Sequence, residues 1–420
     1  MTSEVAIVNR TAVALAADSA LTVKNEKVWN NTNKLFSVSD KNDIGVMIFG
    51  SGSHCTVSWE IMIKRFRKYL GGKVFNKFDD CVAEFREFIE KFEVPNDGEN
   101  ELNVLSVVVD AVDDCCASLN GTKLDRRQQF DDAVDVQIEE VYERELVLND
   151  YNVADFSEQY YEIIRTFAKE QAETHLTKPI LKKLVRLCFE RVCRSFRSAL
   201  DTGVVFAGYG EQDIFPIVEH LVVDGVVDGH VRVWRQQKCD LNATESKRSY
   251  VMSFAQSDIA QLFMEGIQPE YLRFFDIAIE GLLNSKSSEL IKNYVPADNH
   301  VVEQKLQEAE NSQLVKSLME EFERVRAEMT TQPMLRIVSS LPKEEMAAMA
   351  EAIVEVTSLK RKIDSTLETV GGPVDVALIS KADGFVWIKR KHYFSTELNR
   401  DFIERRHNRY YGRENDERER

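Results

Sequence analysis

The sequence predicts an α+β fold. Three observations carry that reading: short apolar segments bounded by turn residues cluster in three places, long stretches of helical periodicity lie between them, and the two do not alternate strictly. Blocks of strands separated by blocks of helices build segregated layers, whereas regular strand–helix alternation builds a doubly wound parallel sheet. No internal repeat is visible.

Two β-hairpins open the chain. Ser3 to Val8 is short and apolar-rich, Asn9-Arg10-Thr11 turns, and Ala12 to Ala17 returns. Lys34 to Ser39 and Ile44 to Phe49 form the second pair around the polar Asp40-Lys41-Asn42-Asp43. Ala14, Ala16 and Ala17 leave room for close backbone packing on both faces. Gly50-Ser51-Gly52-Ser53 breaks the strand, after which Trp59, Met62, Ile63, Phe66 and Leu70 recur at helical spacing. From about 76 to 200 the period stays helical. Phe78, Val82, Phe85, Ile89 and Phe92 make one stripe, Tyr160, Ile163, Ile164 and Phe167 another, and Leu181, Leu184, Val185, Cys188 and Val192 a third. Pro95-Asn96-Asp97-Gly98 and Asn120-Gly121 punctuate them.

Strands resume over Gly203 to Gly210, Ile214 to Val223 and His230 to Arg235, with Asp224-Gly225 and Asp228-Gly229 as the expected turns. Helices return from about Asp258 to Ile363. There Pro342 reads as a first-turn proline, and Met346, Met349, Ile353 and Val356 as a buried face. Val374 to Ser380 and Phe385 to Arg390 flank a tight Ala382-Asp383-Gly384 turn, and Arg405 to Arg420 reads as a disordered mixed-charge tail.

Composition narrows the function classes. The chain has 420 residues, 44% of them hydrophobic, enough to bury a sizeable core. Its 54 basic and 70 acidic residues give a net charge of −16, which phosphate backbones and anionic lipid would repel. No nucleic-acid or membrane partner is therefore expected. No signal-like segment begins the chain, and no apolar run approaches the ~18 residues of a membrane span. The seven cysteines form no CxxC pair and lie mostly in apolar helical patterns, as reduced thiols of a cytoplasmic protein would. The seven histidines show no zinc spacing, so neither a metal nor another cofactor is expected.

The pattern that carries chemistry is at the front. Thr2 stands behind Met1, Asp18 lies sixteen residues further on, and Lys34 another sixteen. Methionine aminopeptidase removes Met1 when the next side chain is small, which would leave a threonine whose own α-amine is its general base, with no propeptide needed. Taken singly, Thr2 reads as an exposed terminal residue, Asp18 as a turn acceptor, Lys34 as a solvated strand residue and Gly50 as a turn glycine. Their joint spacing on the expected strands is what gives the pattern specificity.

With these residues the chain resembles the proteasome β-subunit family of N-terminal-nucleophile hydrolases, including the proteolytic subunits of bacterial ATP-dependent proteases. The match reads Thr2…Ala16-Ala17-Asp18-Ser19…Lys34-Leu35-Phe36…Ile48-Phe49-Gly50, and only the turn before Gly50 is longer, by about two residues. Val205-Phe206-Ala207-Gly208-Tyr209 is similar to the family's central strand, and Gly371-Gly372-Pro373-Val374-Asp375 to the lead into its last hairpin. The resemblance implies an αββα sandwich of the N-terminal-nucleophile type. Residues 1–75, 203–284 and 340–400 would form its core, 76–202 a helical insertion, 285–339 a second one, and 401–420 a charged tail.

The resemblance also implies roles. Thr2 Oγ attacks a carbonyl, its amine takes the proton, Lys34 favours the neutral amine and stabilises charge on the hydroxyl oxygen, and Asp18 orients Lys34. Gly50 would offer its backbone N–H to the oxyanion. Leu21, Thr32, Ile48 and Gly52 match the specificity pocket and suggest an apolar or neutral one, and Ser257 would be a supporting serine near the amine. The sequence departs from the family before Gly371. Val370 stands where a Ser is expected and Leu367 where an Asp is, with Glu368 or Thr369 as shifted substitutes. A peptide or protein substrate, a homo-oligomer and an ATPase partner follow from the same resemblance, and a tag left ahead of Thr2 would abolish activity by acylating the base. Two rival readings are a non-catalytic binding or assembly protein of the same fold and a small-amide hydrolase. Lys389-Arg390-Lys391-His392 reads as a solvated edge strand whose lysines discourage strand addition. Gly50-Ser51-Gly52-Ser53 lacks the Lys-Ser/Thr of a phosphate-binding loop, and no GxSxG elbow is present.

Overall fold

The computed structural model describes residues 2–23, 27–29, 32–92, 99–117, 119–149, 151–243, 247–256, 258–294, 310–364, 371–392, 394–395, 397–401 and 404. The opening hairpin forms as expected: β1 (Ser3–Asn9) and β2 (Val13–Ala17) run antiparallel, with Glu4 opposite Ala17 and Val8 opposite Val13. Asn9 makes the turn, its Oδ1 accepting the Thr11 N–H at 2.9 Å and the Ala12 N–H at 3.2 Å. β3 (Leu21–Val23) and β4 (Lys27–Trp29) then pair as a short ribbon. The second expected hairpin is β5 (Leu35–Ser39) with β6 (Asn42–Gly50). A small pair, β7 (Ser53–His54) and β8 (Val57–Ser58), leads into α1 (Trp59–Leu70) and α2 (Phe78–Glu90).

Strands return as β9 (Thr202–Gly208), β10 (Ile217–Val227), β11 (His230–Asp240) and β12 (Ser249–Ala255), and close the chain as β13 (Asp375–Ser380) and β14 (Gly384–Lys389). Two five-stranded antiparallel sheets result, in the orders β12-β1-β2-β13-β14 and β11-β10-β9-β6-β5. Between them pack Ala6, Val8, Leu15 and Ala17 of the first sheet against Met47, Phe49, Val205 and Ala207 of the second. Strand alternation turns Val5, Ile7, Ala14 and Ala16 to the opposite face. There they meet Met346, Ala347, Ala350 and Ile353 of the long helix Lys343–Asp364. On the far side of the second sheet, Ile44, Val46 and Ile48 pack under Trp59, Met62 and Phe66 of α1 and Phe78 and Phe85 of α2. The order through the molecule is helices, sheet, sheet, helices.

α2 thus belongs to the sheet layers. The helices that build a separate core are α3 (Glu99–Cys116), α4 (Lys123–Val141), α5 (Val153–Ala172) and α6 (Lys178–Cys193), around Val108, Phe130, Phe156, Leu184 and Cys188. A fully buried ion pair fastens this unit to the second sheet. Arg232 Nη1 on β11 lies 2.6 Å from Asp224 Oδ2 on β10, while Arg232 also donates to the carbonyls of Val192 (2.9 Å), Phe196 (2.7 Å) and Arg194 (3.2 Å).

That pair corrects one expectation. Asp224-Gly225 is no turn but lies within β10, where the register slips between Val223 and Val226 and Gly225 takes φ +75°. The Asp224 side chain points inward and is held by Ser198 and Asn103 as well as Arg232. The Asp228-Gly229 turn forms as expected, with φ positive at both residues.

Among the described residues, the later helices are α7 (Asp258–Glu265), α8 (Pro269–Tyr294), α9 (Glu310–Arg326), a π-helical turn (Ala327–Thr331), α10 (Gln332–Val338) and α11 (Lys343–Asp364). Pro342 sits just ahead of the first turn of α11, its carbonyl accepting the Met346 N–H at 3.0 Å. β14 is an edge strand, but the basic run is only partly solvated: Lys389 pairs with Glu351, and Lys391 Nζ lies 2.5 Å from Asp375 with both side chains buried. Six of the cysteines are buried and Cys116 is half-buried. No helix among the described residues is long and apolar enough to cross a membrane. The Arg405–Arg420 stretch lies outside the described residues.

Candidate functional site

Asp18, one residue past β2, ties the front of the chain together. Its N–H bonds the Ser3 carbonyl at 3.2 Å, and its Oδ1 accepts the Ser3 N–H at 3.2 Å. Its Oδ2 accepts the N–H groups of Gly371 (3.0 Å) and Ala20 (3.3 Å). Lys34 Nζ also donates to Oδ1. Three backbone donors and an ammonium fix one buried carboxylate, a charge-assisted arrangement with little freedom left.

Lys34 precedes β5, and its carbonyl accepts the Ile48 N–H at 2.9 Å, so β6 sets its backbone. Its ammonium reaches a second carboxylate as well, lying 3.5 Å from Glu4 Oε1. Alternation along β1 places Glu4 on the same face as Ala6 and Val8, inside the sandwich, and extends that face to Thr2. Thr2 is 5% exposed and its carbonyl continues the β1–β12 ladder, accepting the Gln256 N–H at 3.3 Å.

Burial pushes the Glu4 carboxyl up to about 8; the Lys34 cation opposes that rise and the Asp18 charge adds to it. The Thr2 hydroxyl is close enough to pull the value down slightly, yet no aligned hydrogen bond joins the two. Among the described residues, Thr2 Oγ1 and both Glu4 carboxyl oxygens are buried without an aligned hydrogen-bond partner. Sequence reasoning missed Glu4, because a carboxylate near a chain start reads as solvated. The available signal was its position, two residues after Thr2 on an inward-facing strand.

Gly50 ends β6 with φ +87°, and a Cβ there would lie 2.6 Å from the Asp201 carbonyl oxygen, so the backbone itself demands glycine. Thr32 is half-buried, with its N–H on the Ser19 carbonyl at 3.1 Å. Ile48 is packed beneath α1, and Gly52 is exposed with its carbonyl accepting the Trp59 N–H at 3.2 Å. Leu21 pairs with Trp29 in the β3–β4 ribbon. The Gly371–Pro373 segment abuts the site through Gly371 N–H on Asp18 and through Ser19, whose hydroxyl donates to the Pro373 carbonyl. Ser257, Leu367, Glu368, Thr369 and Val370 lie outside the described residues.

The arrangement offers a hydroxyl, a shared ammonium and two carboxyls in one water-poor space. No family model matches the chain, and no curated protein matches it. Among solved structures it is similar to "Anbu (ancestral beta-subunit) from Yersinia bercovieri", at 8% identity and a TM-score of 0.26 over 96% of this chain and 94% of that one. An overlap that loose establishes neither a shared fold nor a shared activity.

Proposed function

We propose that this chain is an amide hydrolase with Thr2 as its nucleophile, built on the αββα sandwich of the N-terminal-nucleophile hydrolases and acting on peptide or protein substrates. One observation carries the reading: the Lys34 ammonium, anchored on Asp18, is buried beside β1, the strand that starts one residue after Thr2. A hydroxyl becomes a nucleophile when a base takes its proton and a nearby cation stabilises the developing charge. Lys34 is the cation and Asp18 its positioning residue; the resemblance to N-terminal-nucleophile hydrolases implies the α-amine of Thr2, freed by loss of Met1, as the proton acceptor.

Attack on a substrate carbonyl forms the Thr2 C–O bond and moves the carbonyl electron pair onto oxygen. In a strand, residues two apart send their N–H groups to the same edge. Gly50 N–H thus shares the edge of β6 with the Ile48 N–H that bonds Lys34, the side on which we place the oxyanion. The C–N bond then breaks as the acceptor passes its proton to the leaving nitrogen, and water cleaves the Thr2 ester to release the acid and restore the hydroxyl.

Burial of Thr2 with Met1 attached favours a second reading, a non-catalytic binding or assembly protein of the same fold, since substrate reaches a 5%-exposed residue only once Met1 is removed or neighbouring chain moves aside. The same burial suits a small amide better than a folded protein. Phe274, Ile277 and Leu282 of α8 and Leu314 and Leu318 of α9 are exposed, and an apolar face of that kind fits a protein partner such as a second copy of the chain. Wild type and Thr2→Ala should be compared on unfolded protein, short peptides and small amides. The hydrolase reading expects turnover by the wild type alone, and equal rates in both proteins would remove it.

A further inference from the structure

Resting on the reading of Thr2 as the nucleophile, we infer that Glu4 is the group that takes the Thr2 Oγ proton, so that the chemistry does not depend on a free α-amine at Thr2. Three geometric facts point there. Glu4 lies two residues after Thr2 on the face that β1 extends back to it, and the Thr2 hydroxyl is close enough to lower the Glu4 pKa. Among the described residues, Thr2 Oγ1 and both Glu4 oxygens are buried without an aligned hydrogen-bond partner, which leaves the hydroxyl and the carboxyl able to engage each other. Lys34 Nζ is 3.5 Å from Glu4 Oε1, so the cation favours the carboxylate, the form of Glu4 that can accept a proton.

The step balances without another reactant. As Thr2 Oγ bonds to the carbonyl carbon, its proton passes to a Glu4 carboxylate oxygen and the carbonyl π pair moves onto the substrate oxygen. When that pair returns and the C–N bond breaks, protonated Glu4 gives the proton to the departing nitrogen. Water attacking the ester repeats the transfer in reverse. Among the described residues, the titratable groups acting on Glu4 are Lys34 ahead of β5 and Asp18 behind β2. Its register partners on β12 and β2 are Phe254 and Ala17, which carry no charge. Burial in this setting raises the carboxyl to about 8, so its ionised, proton-accepting fraction grows as pH rises toward that value.

Four full-length proteins test this on one fluorogenic peptide amide: wild type, Glu4→Gln, Thr2→Ala, and wild type with an extension ahead of Met1 that blocks any amine at Thr2. The inference expects the extended protein to stay within about threefold of wild type. It expects Glu4→Gln to lose roughly 100-fold or more, in line with removal of a general base, and to lose the rise in rate toward pH 8. Unfolding curves check that Glu4→Gln, a near-isosteric change, still folds. Should Thr2→Ala be inactive, Glu4→Gln active and the extended protein inactive, the amine is the base and this inference falls alone. Should wild type and Thr2→Ala behave alike, the nucleophile assignment and the inference fall together.

Discussion

Lys34 Nζ lies 3.5 Å from Glu4 Oε1 while it donates to Asp18 Oδ1, so one buried ammonium serves two carboxyls. Replacing Lys34 by Met keeps the volume of the stem but leaves both carboxyl groups without their cation. Removing one partner of a buried pair costs about 3–5 kcal/mol, far more than an exposed pair is worth. Lys34→Met is expected to lose stability on that scale in urea unfolding at pH 7, with part regained in the Lys34→Met/Glu4→Gln double variant. A loss below ~1 kcal/mol, the range of exposed pairs, would mean the cluster is solvated.

Glu4 predicts a pH dependence of stability with a definite sign. Its carboxyl titrates at about 8 in the folded chain against 4.5 for the free group. Between those values the folded state keeps a proton that the unfolded state gives up. Stability contributed by the protonated form is therefore fully present below about 4.5 and declines as pH rises to about 8. Glu4→Gln removes this dependence, so its advantage over wild type should grow by on the order of a few kcal/mol from pH 5 to pH 8.5. Melting temperatures at both pH values measure it, and parallel shifts in the two proteins would contradict it.

Arg232 and Asp224 carry the attachment of the α3–α6 unit. Arg232→Ala strands the Asp224 carboxylate in a fully buried site and strips donors from the Val192, Arg194 and Phe196 carbonyls. A cost of about 3–5 kcal/mol is expected, with the loss of hydrogen-exchange protection largest in α6 and in β10. Protection lost evenly over both sheets would place the pair's role elsewhere.

The sequence showed much of this architecture, because local signals and tertiary demand agree there. The Asn9 turn flanked by apolar runs is read directly as β1–β2, and the sixteen-residue spacings of Asp18 and Lys34 fall where two strands end and begin. Glu4 was not legible, since its burial arises only when β12 and β2 flank β1 and Lys34 arrives from β5. Asp224-Gly225 carries turn chemistry that the packing overrides, Arg232 drawing the aspartate into a strand bulge. Lys391 reads as a solvated cation, but Asp375, sixteen residues earlier on β13, claims it. β12 and the β3–β4 ribbon are short segments whose strand character depends on partners far away or too few residues to register as a period.

The central claim is that Thr2 Oγ is the atom that bonds to substrate. An electrophile that traps hydroxyl nucleophiles, followed by intact mass and peptide mapping, tests it directly. The account predicts a single stoichiometric adduct on Thr2 in the wild type, slowed in Lys34→Met and absent in Thr2→Ala. An unlabelled wild type, or an adduct carried by any other residue, would contradict it.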